Sequence, residues 1–88
     1  MPERDHIAPK PELELGRYRH YKGGEYEVVM LACHEATHEW MVIYQAQYET
    51  GDMPSIWART YDDFTASVVV DGETRPRFVA IRPSSLNQ

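Results

Sequence analysis

The sequence predicts an all-β fold: a small SH3-like barrel of five to six short antiparallel strands with one short helical turn. Three observations support this prediction. Strand-forming residues are grouped in short runs, turn signals recur at intervals of roughly 8–12 residues, and no long segment repeats its apolar residues with the helical period. A chain of 88 residues has room for a single domain with one small core.

The two ends of the chain are predicted to lie outside the folded domain. Residues 1–12 carry three prolines among charged side chains, which is typical of a flexible arm. Residues 84–88 form a short tail that we also expect to be flexible. The predicted domain therefore spans residues 13–83.

The first predicted strands lie on either side of a polar loop. After the turn dipeptide Gly23-Gly24, the segments Glu25–Cys33 and 39–48 are rich in valine, isoleucine and aromatic residues, as strands are. In the second segment, alternate residues from Trp40 to Tyr48 fall on one face. The opposite face also begins apolar, so we expect this strand to be central.

A short strand and a helical turn are predicted next. Residues 55–59 (SIWAR) follow a turn cluster and fit a short strand. Tyr61–Phe64 (YDDF) fits one helical turn, because Thr60 is a suitable N-cap and the two aspartates lie near the positive end of the helix dipole.

The last predicted element is a hairpin. Segments 66–70 and 74–81 lie on either side of Asp71-Gly72, a dipeptide that favours tight turns. Pro76 has no backbone N–H to donate to a ladder, so the last strand is predicted to be an edge strand.

Composition and charge narrow the classes of function. A net charge of −5 disfavours non-specific nucleic-acid binding, which depends on a surplus of cations. The single Cys33 rules out an internal disulfide and fits a reducing compartment. No apolar run approaches the ~20 residues of a membrane span. We therefore expect a cytoplasmic protein that has no contact with membranes and holds no cofactor.

The segment from His34 to His38 spells H-E-x-x-H, a signature of zinc peptidases, but its context argues against that function. The zinc site requires a helix, which brings the two histidines together, whereas strand-like segments lie on both sides here. In an extended strand the histidines would lie about 13 Å apart. We therefore predict a polar hairpin loop, no metal site, and an accidental match to the motif.

Several motifs in order resemble the bacterial domain-of-unknown-function family sixteen fifty-three. They cover about residues 14–79 and comprise G-R-Y-R-H-Y-K-G at 16–23, Tyr26, Val28, A-C-H at 32–34, Thr37, Glu39, V-I-Y at 42–44, Ala46, Tyr48, W-A-R at 57–59, Phe64, V-D-G at 70–72 and P-R-F at 76–78. The resemblance implies a small bacterial β-barrel protein without an assigned activity. The chain departs from the family pattern at Ala36 and Thr60, where an acid and a proline are usual.

The best candidate for a functional surface is the run from Arg17 to Lys22, which mixes cations and rings between glycines. Together with residues from two other segments, the candidate ligand-binding residues are Arg17, Tyr18, Arg19, His20, Tyr21, Lys22, His34, Trp57 and Arg59. Arginine forks bind carboxylates or phosphates, and aromatic rings can stack on planar groups. The structural alternative is that Tyr18 and Tyr21 close the core, while Arg59 pairs with Asp62 or Asp63.

The function predicted from these residues is a non-catalytic binding module for an anionic or planar ligand, or for a partner protein. No catalytic triad and no phosphate-binding glycine loop can be argued from the sequence. RNA binding on the barrel surface, or a small hydrolytic or metal-assisted activity, remains an alternative. Homodimerisation through an edge strand is also open.

Overall fold

The computed structural model describes residues 7–83, and it contains seven strands and one short helix. In chain order they are β1 (Gly16–His20), β2 (Glu25–Cys33), β3 (Trp40–Ala46), β4 (Ile56–Thr60), α1 (Tyr61–Phe64), β5 (Ser67–Val70), β6 (Glu73–Pro76) and β7 (Phe78–Pro83). The all-β class predicted from the sequence is confirmed.

The strands form two antiparallel sheets. The larger sheet has the order β4-β3-β2-β1-β7, and β5 pairs with β6 in a separate hairpin. The described chain has seven strands instead of five or six, because the segment predicted as one strand over 74–81 is divided at Arg77. The backbone N–H of Arg77 donates to Ala66 and its carbonyl accepts from Tyr21, so the chain changes sheets at this residue. Closure into a barrel stays a prediction.

Local sequence signals correctly predict the bounds of several elements. Strand β2 has the predicted bounds, and so does α1. The side chain of Thr60 accepts a hydrogen bond from the backbone N–H of Asp63, which is the predicted N-cap. Pro76 lies in β6, whose one partner among the described strands is β5, so its missing donor costs no ladder bond in the larger sheet.

The core lies on the inner face of the larger sheet and is mostly aromatic. Its buried residues are Tyr18, Val28, Val42, Tyr44, Phe64 and Phe78. Phe64 projects from α1 and stacks on Phe78 with centroids 4.0 Å apart and planes 8° apart. The edge of Tyr18 meets the Phe64 ring at 5.4 Å. The single helical turn therefore supplies the centre of the core.

A β-bulge in β2 adjusts which residues face the core. Val28 lies opposite Tyr44, but Met30 lies opposite Ile43, so the register shifts between them. As a result Val28 is buried while Met30 is 52% exposed on the outer face. Bulges of this kind increase the local twist of a strand, and here the twist helps the sheet to curve around Phe64.

The N-terminal segment contacts the domain. The indole N–H of Trp40 donates to the backbone carbonyl of Ala8 at 2.8 Å, and Leu13 packs against the core. Residues 1–6 of the predicted arm and the predicted tail, residues 84–88, lie outside the described residues. The predicted domain boundary stays a prediction.

The described helix is one turn long. Within residues 7–83 no helix has the length and apolar character that a membrane span requires.

Candidate functional site

The run from Arg17 to Lys22 is divided between the two faces of the sheet. Strand β1 alternates, so Arg17 and Arg19 lie on the outer face while Tyr18 and His20 lie on the inner face. The strand ends at His20, and the chain then turns. The candidate residues of this run are therefore divided between two surfaces.

On the outer face, two arginines meet two glutamates of the neighbouring strand. Arg17 contacts Glu27 at 3.2 Å and Glu25 at 3.5 Å, and Arg19 contacts Glu25 at 3.1 Å. Arg17 also donates to Gln47 at 3.3 Å. The register places Arg17 opposite Glu27 and Arg19 opposite Glu25. The charges of this outer ladder, as we call these four residues, balance each other, which is the arrangement of a structural cross-strand pair.

Tyr18 is part of the core. It is 6% exposed, and its hydroxyl donates to the backbone carbonyl of Glu14 at 2.6 Å. Burial, and secondarily the charge of Glu14, raises the pKa of the Tyr18 hydroxyl. The structural alternative predicted for this residue is thus the one observed.

His20 lies at the end of the inner face, among aromatic rings. Its ring is 4.9 Å from Phe78 and 4.5 Å from Tyr21, centroid to centroid. Its Nδ1 accepts a hydrogen bond from the backbone N–H of Lys22 at 3.1 Å. Neutral His20 therefore carries its proton on Nε2, which leaves a donor for other groups.

Cations surround this histidine. Burial lowers the pKa of His20, and the charges of Arg59, Arg77 and Lys22 lower it further. Burial and three cations from separate parts of the chain thus favour the neutral form of His20. We call His20, Lys22, Arg59 and Arg77 the inner cluster.

Arg59 is held in place by one ring hydroxyl and one carboxylate. Its Nε donates to the Tyr44 hydroxyl at 3.3 Å and its Nη1 to Asp63 Oδ2 at 2.9 Å. The guanidinium lies 5.9 Å from the centroid of Phe78. The hydrogen bond to Tyr44, followed by the interactions with Asp63, raises the pKa of Arg59 above its already high value, so the cation is permanent.

The inner cluster has more cations than carboxylates. Arg77 also uses Asp63: its Nη2 lies 3.6 Å from Oδ1 and its Nε donates to the backbone carbonyl at 3.0 Å. Lys22 lies with Nζ 5.8 Å from the centroid of Tyr21 and has no carboxylate within 4.0 Å among the described side chains. Arg59 and Arg77 thus share the Asp63 carboxylate, and Lys22 adds a third cation without a carboxylate partner among the described side chains, in a chain whose net charge is −5.

Tyrosines form one wall beside the inner cluster. Tyr26 meets Tyr44 edge to face at 5.2 Å and Tyr48 at 5.5 Å, and the hydroxyls of Tyr26 and Tyr48 share a hydrogen bond. Burial and this hydrogen bond raise the pKa of Tyr26 to about 12. Gly24 makes the approach of Tyr48 possible, because a Cβ at that position would lie 3.1 Å from the Tyr48 ring.

Trp57 joins this side of the sheet, but His34 does not. Trp57 lies opposite Tyr44 in the β3–β4 ladder, on the same face, and is 38% exposed. His34 follows the last residue of β2, whereas His20 lies near the first, so β2 separates them by about 26 Å at a rise of ~3.3 Å per residue.

The loop that contains His34 is the predicted polar turn. The backbone N–H of His38 donates to the carbonyl of His34 at 2.7 Å, and His38 has φ 62°. Nδ1 of His34 accepts from the N–H groups of Ala36 and Thr37 at 3.2 and 3.3 Å. The ring of His34 is therefore used to close its own loop. No group of three metal-ligating side chains comes together among residues 7–83.

A small cleft of about 280 Å³ lies beside the inner cluster, at the end of β1. It is bounded by Arg19, His20, Tyr21, Arg75 and Pro76, among others. Of the inner cluster, His20 lines this cleft, whereas Lys22, Arg59 and Arg77 do not.

Sequence reasoning missed three members of this region. They are Tyr26, Tyr48 and Arg77, which reach it through strand pairing and tertiary contacts. Asp63 is one of the two partners predicted for Arg59. The tyrosines are part of a strongly aromatic sequence that could have indicated them. No local pattern marks Arg77, because it lies at the point where the chain changes sheets.

Comparison with known proteins agrees with this architecture. Residues 16–80 match the family described as Protein of unknown function (DUF1653), and the chain belongs to this family. The crystal structure of a DUF1653 protein from Bordetella bronchiseptica is similar, with a TM-score of 0.75 and 28% sequence identity. The similarity covers 86% of this chain and 96% of that one. None of the curated proteins is significantly similar in sequence.

Proposed function

We propose that this protein is a non-catalytic binding module whose inner cluster binds a small anionic ligand that also carries a planar group. One observation supports the proposal above all others: near His20, Arg59 and Arg77 share the single carboxylate of Asp63, and Lys22 has no carboxylate partner among the described side chains. A cation excess of this kind, in an acidic protein, favours an anion at the site.

The side chains of the cluster suit a carboxylate or a phosphate. A guanidinium offers several N–H donors in a planar fork, and both Arg59 and Arg77 use part of theirs on Asp63. Because Asp63 is about half exposed, a ligand anion can take one of these arginines without leaving a buried charge unpaired. Lys22 and the Nε2–H of His20 add further donors.

Aromatic rings beside the cluster suit the planar part of the ligand. Tyr48 is 48% exposed and Trp57 is 38% exposed, and both lie on the same side of the molecule as Tyr44. An exposed ring next to cations is able to stack on a base or another flat group.

The single Cys33 thiol fits a reducing compartment, so we propose a cytoplasmic location for the protein.

RNA is the second candidate ligand, and the same two exposed rings favour it. Single-stranded RNA binds through stacking on aromatic side chains and through phosphate contacts, and its affinity falls steeply with added salt. The net charge of −5 favours the small ligand over RNA. A shallow salt dependence therefore supports the small ligand, and a steep one supports RNA.

A chemical-shift titration of the ¹⁵N-labelled protein tests the proposal. Three probes are compared. Adenosine monophosphate carries both an anionic phosphate and a planar base, inorganic phosphate carries the anion alone, and adenosine carries the planar base alone. We expect the monophosphate to shift the resonances of His20, Lys22 and the Arg59 side chain most strongly. Shifts confined to the outer ladder, or no shift at millimolar ligand, would contradict the proposal.

A further inference from the structure

A second cleft, of about 260 Å³, lies where β3 begins and α1 starts. One side is formed by the N-terminal segment and the other by the folded domain. The residues that bound it include Ala8, Pro9, Pro11, Trp40, Tyr61 and Asp62. The cleft and His20 lie at opposite ends of β3. The cleft lies beside Trp40, the first residue of β3, whereas His20 lies near Tyr26, which pairs with Ala46, the last residue of β3.

The N-terminal segment at this cleft is extended by its own chemistry. Proline fixes φ near −65°, and a residue that precedes proline is biased towards extended conformations. Ala8 precedes Pro9 and Lys10 precedes Pro11, so all four residues favour an extended chain of the polyproline type. Such a chain presents its carbonyls outward without internal hydrogen bonds.

Trp40 contacts this segment as an aromatic receptor contacts a proline peptide. Its indole N–H donates to the carbonyl of Ala8, the residue before the first proline, at 2.8 Å. Tyr61 supplies a second ring at the same cleft and packs against the core, so its position is fixed by the fold. Grooves lined by aromatic rings bind polyproline segments in this way.

Charge adds a second preference. The charged residues that line the cleft, Glu39 and Asp62, are both acidic and exposed. Lys10, between the two prolines of the segment, does not itself line this cleft. The acidic side chains of the cleft favour a partner peptide that carries a basic residue.

We propose that this cleft is a docking site for an extended peptide of a partner protein that contains prolines and a basic residue, and that Ala8 to Pro11 is its intramolecular competitor. Of the hydrogen bonds described for residues 7–83, one joins this segment to the domain, and Ala8, Pro9 and Lys10 are exposed. A peptide with the same chemistry can therefore displace the segment by taking the same indole donor.

The test uses the full chain and a synthetic peptide with the sequence of residues 7–12. The double variant Pro9→Gly, Pro11→Gly weakens the competitor and leaves Trp40, Tyr61 and Asp62, on the domain side of the cleft, unchanged. A tethered competitor acts at a millimolar effective concentration. We therefore expect the peptide to bind the double variant about tenfold more tightly than the wild type, and to shift the Trp40 indole N–H resonance.

Two matched controls make the result specific. A peptide with glycine in place of both prolines should bind at least about fivefold more weakly. In the double-variant background, where the segment competes less, Trp40→Phe keeps a ring but removes the donor, and it should weaken the binding of the proline peptide by a similar factor. Trp57→Phe leaves Trp40 as the sole indole, so fluorescence can follow the same titration.

Any of three results would overturn the proposal. The proline peptide could bind the wild type and the double variant with equal affinity, the proline and glycine peptides could bind with equal affinity, or the Trp40 indole N–H resonance could fail to shift. In those cases the segment only covers the end of the sheet. Sedimentation at several protein concentrations adds one more decisive outcome. A dimer that is lost in the double variant would assign the cleft to a second copy of this chain and contradict a foreign partner.

Discussion

The two faces of β1 carry cations in two different electrostatic settings. On the outer face, Arg17 and Arg19 lie opposite Glu27 and Glu25, and their charges are matched. On the inner face, the cations around His20 come from three segments. Arg59 and Arg77 share Asp63, and Lys22 has no carboxylate within 4.0 Å among the described side chains. Adjacent residues of one strand therefore have different roles: Arg19 belongs to a structural ladder, and His20 belongs to a candidate binding site.

This comparison shows that a cluster of cations in the sequence does not by itself define a site. Pairing with an acidic strand neutralises Arg17 and Arg19, whereas Lys22 has no such partner among the described side chains. What distinguishes the inner cluster is the balance of charge in three dimensions. The predictions below test whether the two faces differ in the way that this balance requires.

The largest expected effect is on the core beneath the inner cluster. Phe64 is 1% exposed and stacks on Phe78, which also contacts His20. We expect Phe64→Ala to lower the free energy of unfolding by about 3–5 kcal/mol, because it opens a cavity in a small core. Urea denaturation measures the loss.

Val69→Ala, at a 71% exposed position, is the control and should change stability by less than about 0.5 kcal/mol. A loss below about 1 kcal/mol for Phe64→Ala would contradict the assigned core.

The next effect concerns the residue that caps α1. Thr60 accepts a hydrogen bond from the N–H of Asp63 at 3.2 Å, and Asp63 in turn holds Arg59 and Arg77. Thr60→Ala should cost about 1 kcal/mol of stability, as the loss of an N-cap does. Thr60→Ser keeps the hydroxyl and should retain most of the stability in the same denaturation assay. An equal loss in both variants would show that the methyl group matters and the cap does not.

A smaller effect depends on pH. The pKa of His20 is lowered from 6.5 in the folded protein, first by burial and then by the neighbouring cations. The unfolded chain therefore binds this proton at higher pH than the folded one, and stability should fall as the pH drops through about 6.5 and level off below the folded pKa. His20→Gln should remove this part of the pH dependence.

NMR titration of the His20 ring gives the pKa directly. In the free protein the pKa should lie below 6.5. A bound anion favours the protonated ring, so adenosine monophosphate should raise this pKa. A free-state pKa at or above 6.5 would show that the cations do not act on His20.

The smallest effect is expected on the outer ladder. The Arg19 side chain is 53% exposed, and its pair with Glu25 is open to solvent. Arg19→Gln should cost at most about 1 kcal/mol, and the cost should shrink further in salt. A larger or salt-independent loss in urea denaturation would mean that the ladder contributes more to the fold than its exposure indicates.

Local chemistry explains what the sequence could predict. The start of β2 follows from the Gly23-Gly24 turn, and its length follows from a segment that contains Tyr26, Val28 and Val29. The helix α1 follows from Thr60 and the aspartates after it. The alternation along β1 also follows from the period of two, since it needs no knowledge of the neighbouring strands. These features depend on residues that are adjacent in the chain.

Most of the inner cluster depends on contacts between distant residues, so the sequence revealed only part of it. Arg59 and Asp63 are four residues apart, and their pair is one of the two predicted from the sequence. Arg77 and His20 come together only after β1 pairs with β7. His34 was grouped with the candidate residues by its chemistry, yet β2 holds it far from His20.

The affinity for adenosine monophosphate of two matched variants tests the central claim most directly. Arg59→Gln removes a cation from the inner cluster, and Arg17→Gln removes one from the outer ladder, so both change the net charge equally. Calorimetry should show at least a tenfold loss for Arg59→Gln, about 1.4 kcal/mol, and a change within about twofold for Arg17→Gln. Equal losses in the two variants, or a greater loss for Arg17→Gln, would contradict the assignment of the binding site to the inner face.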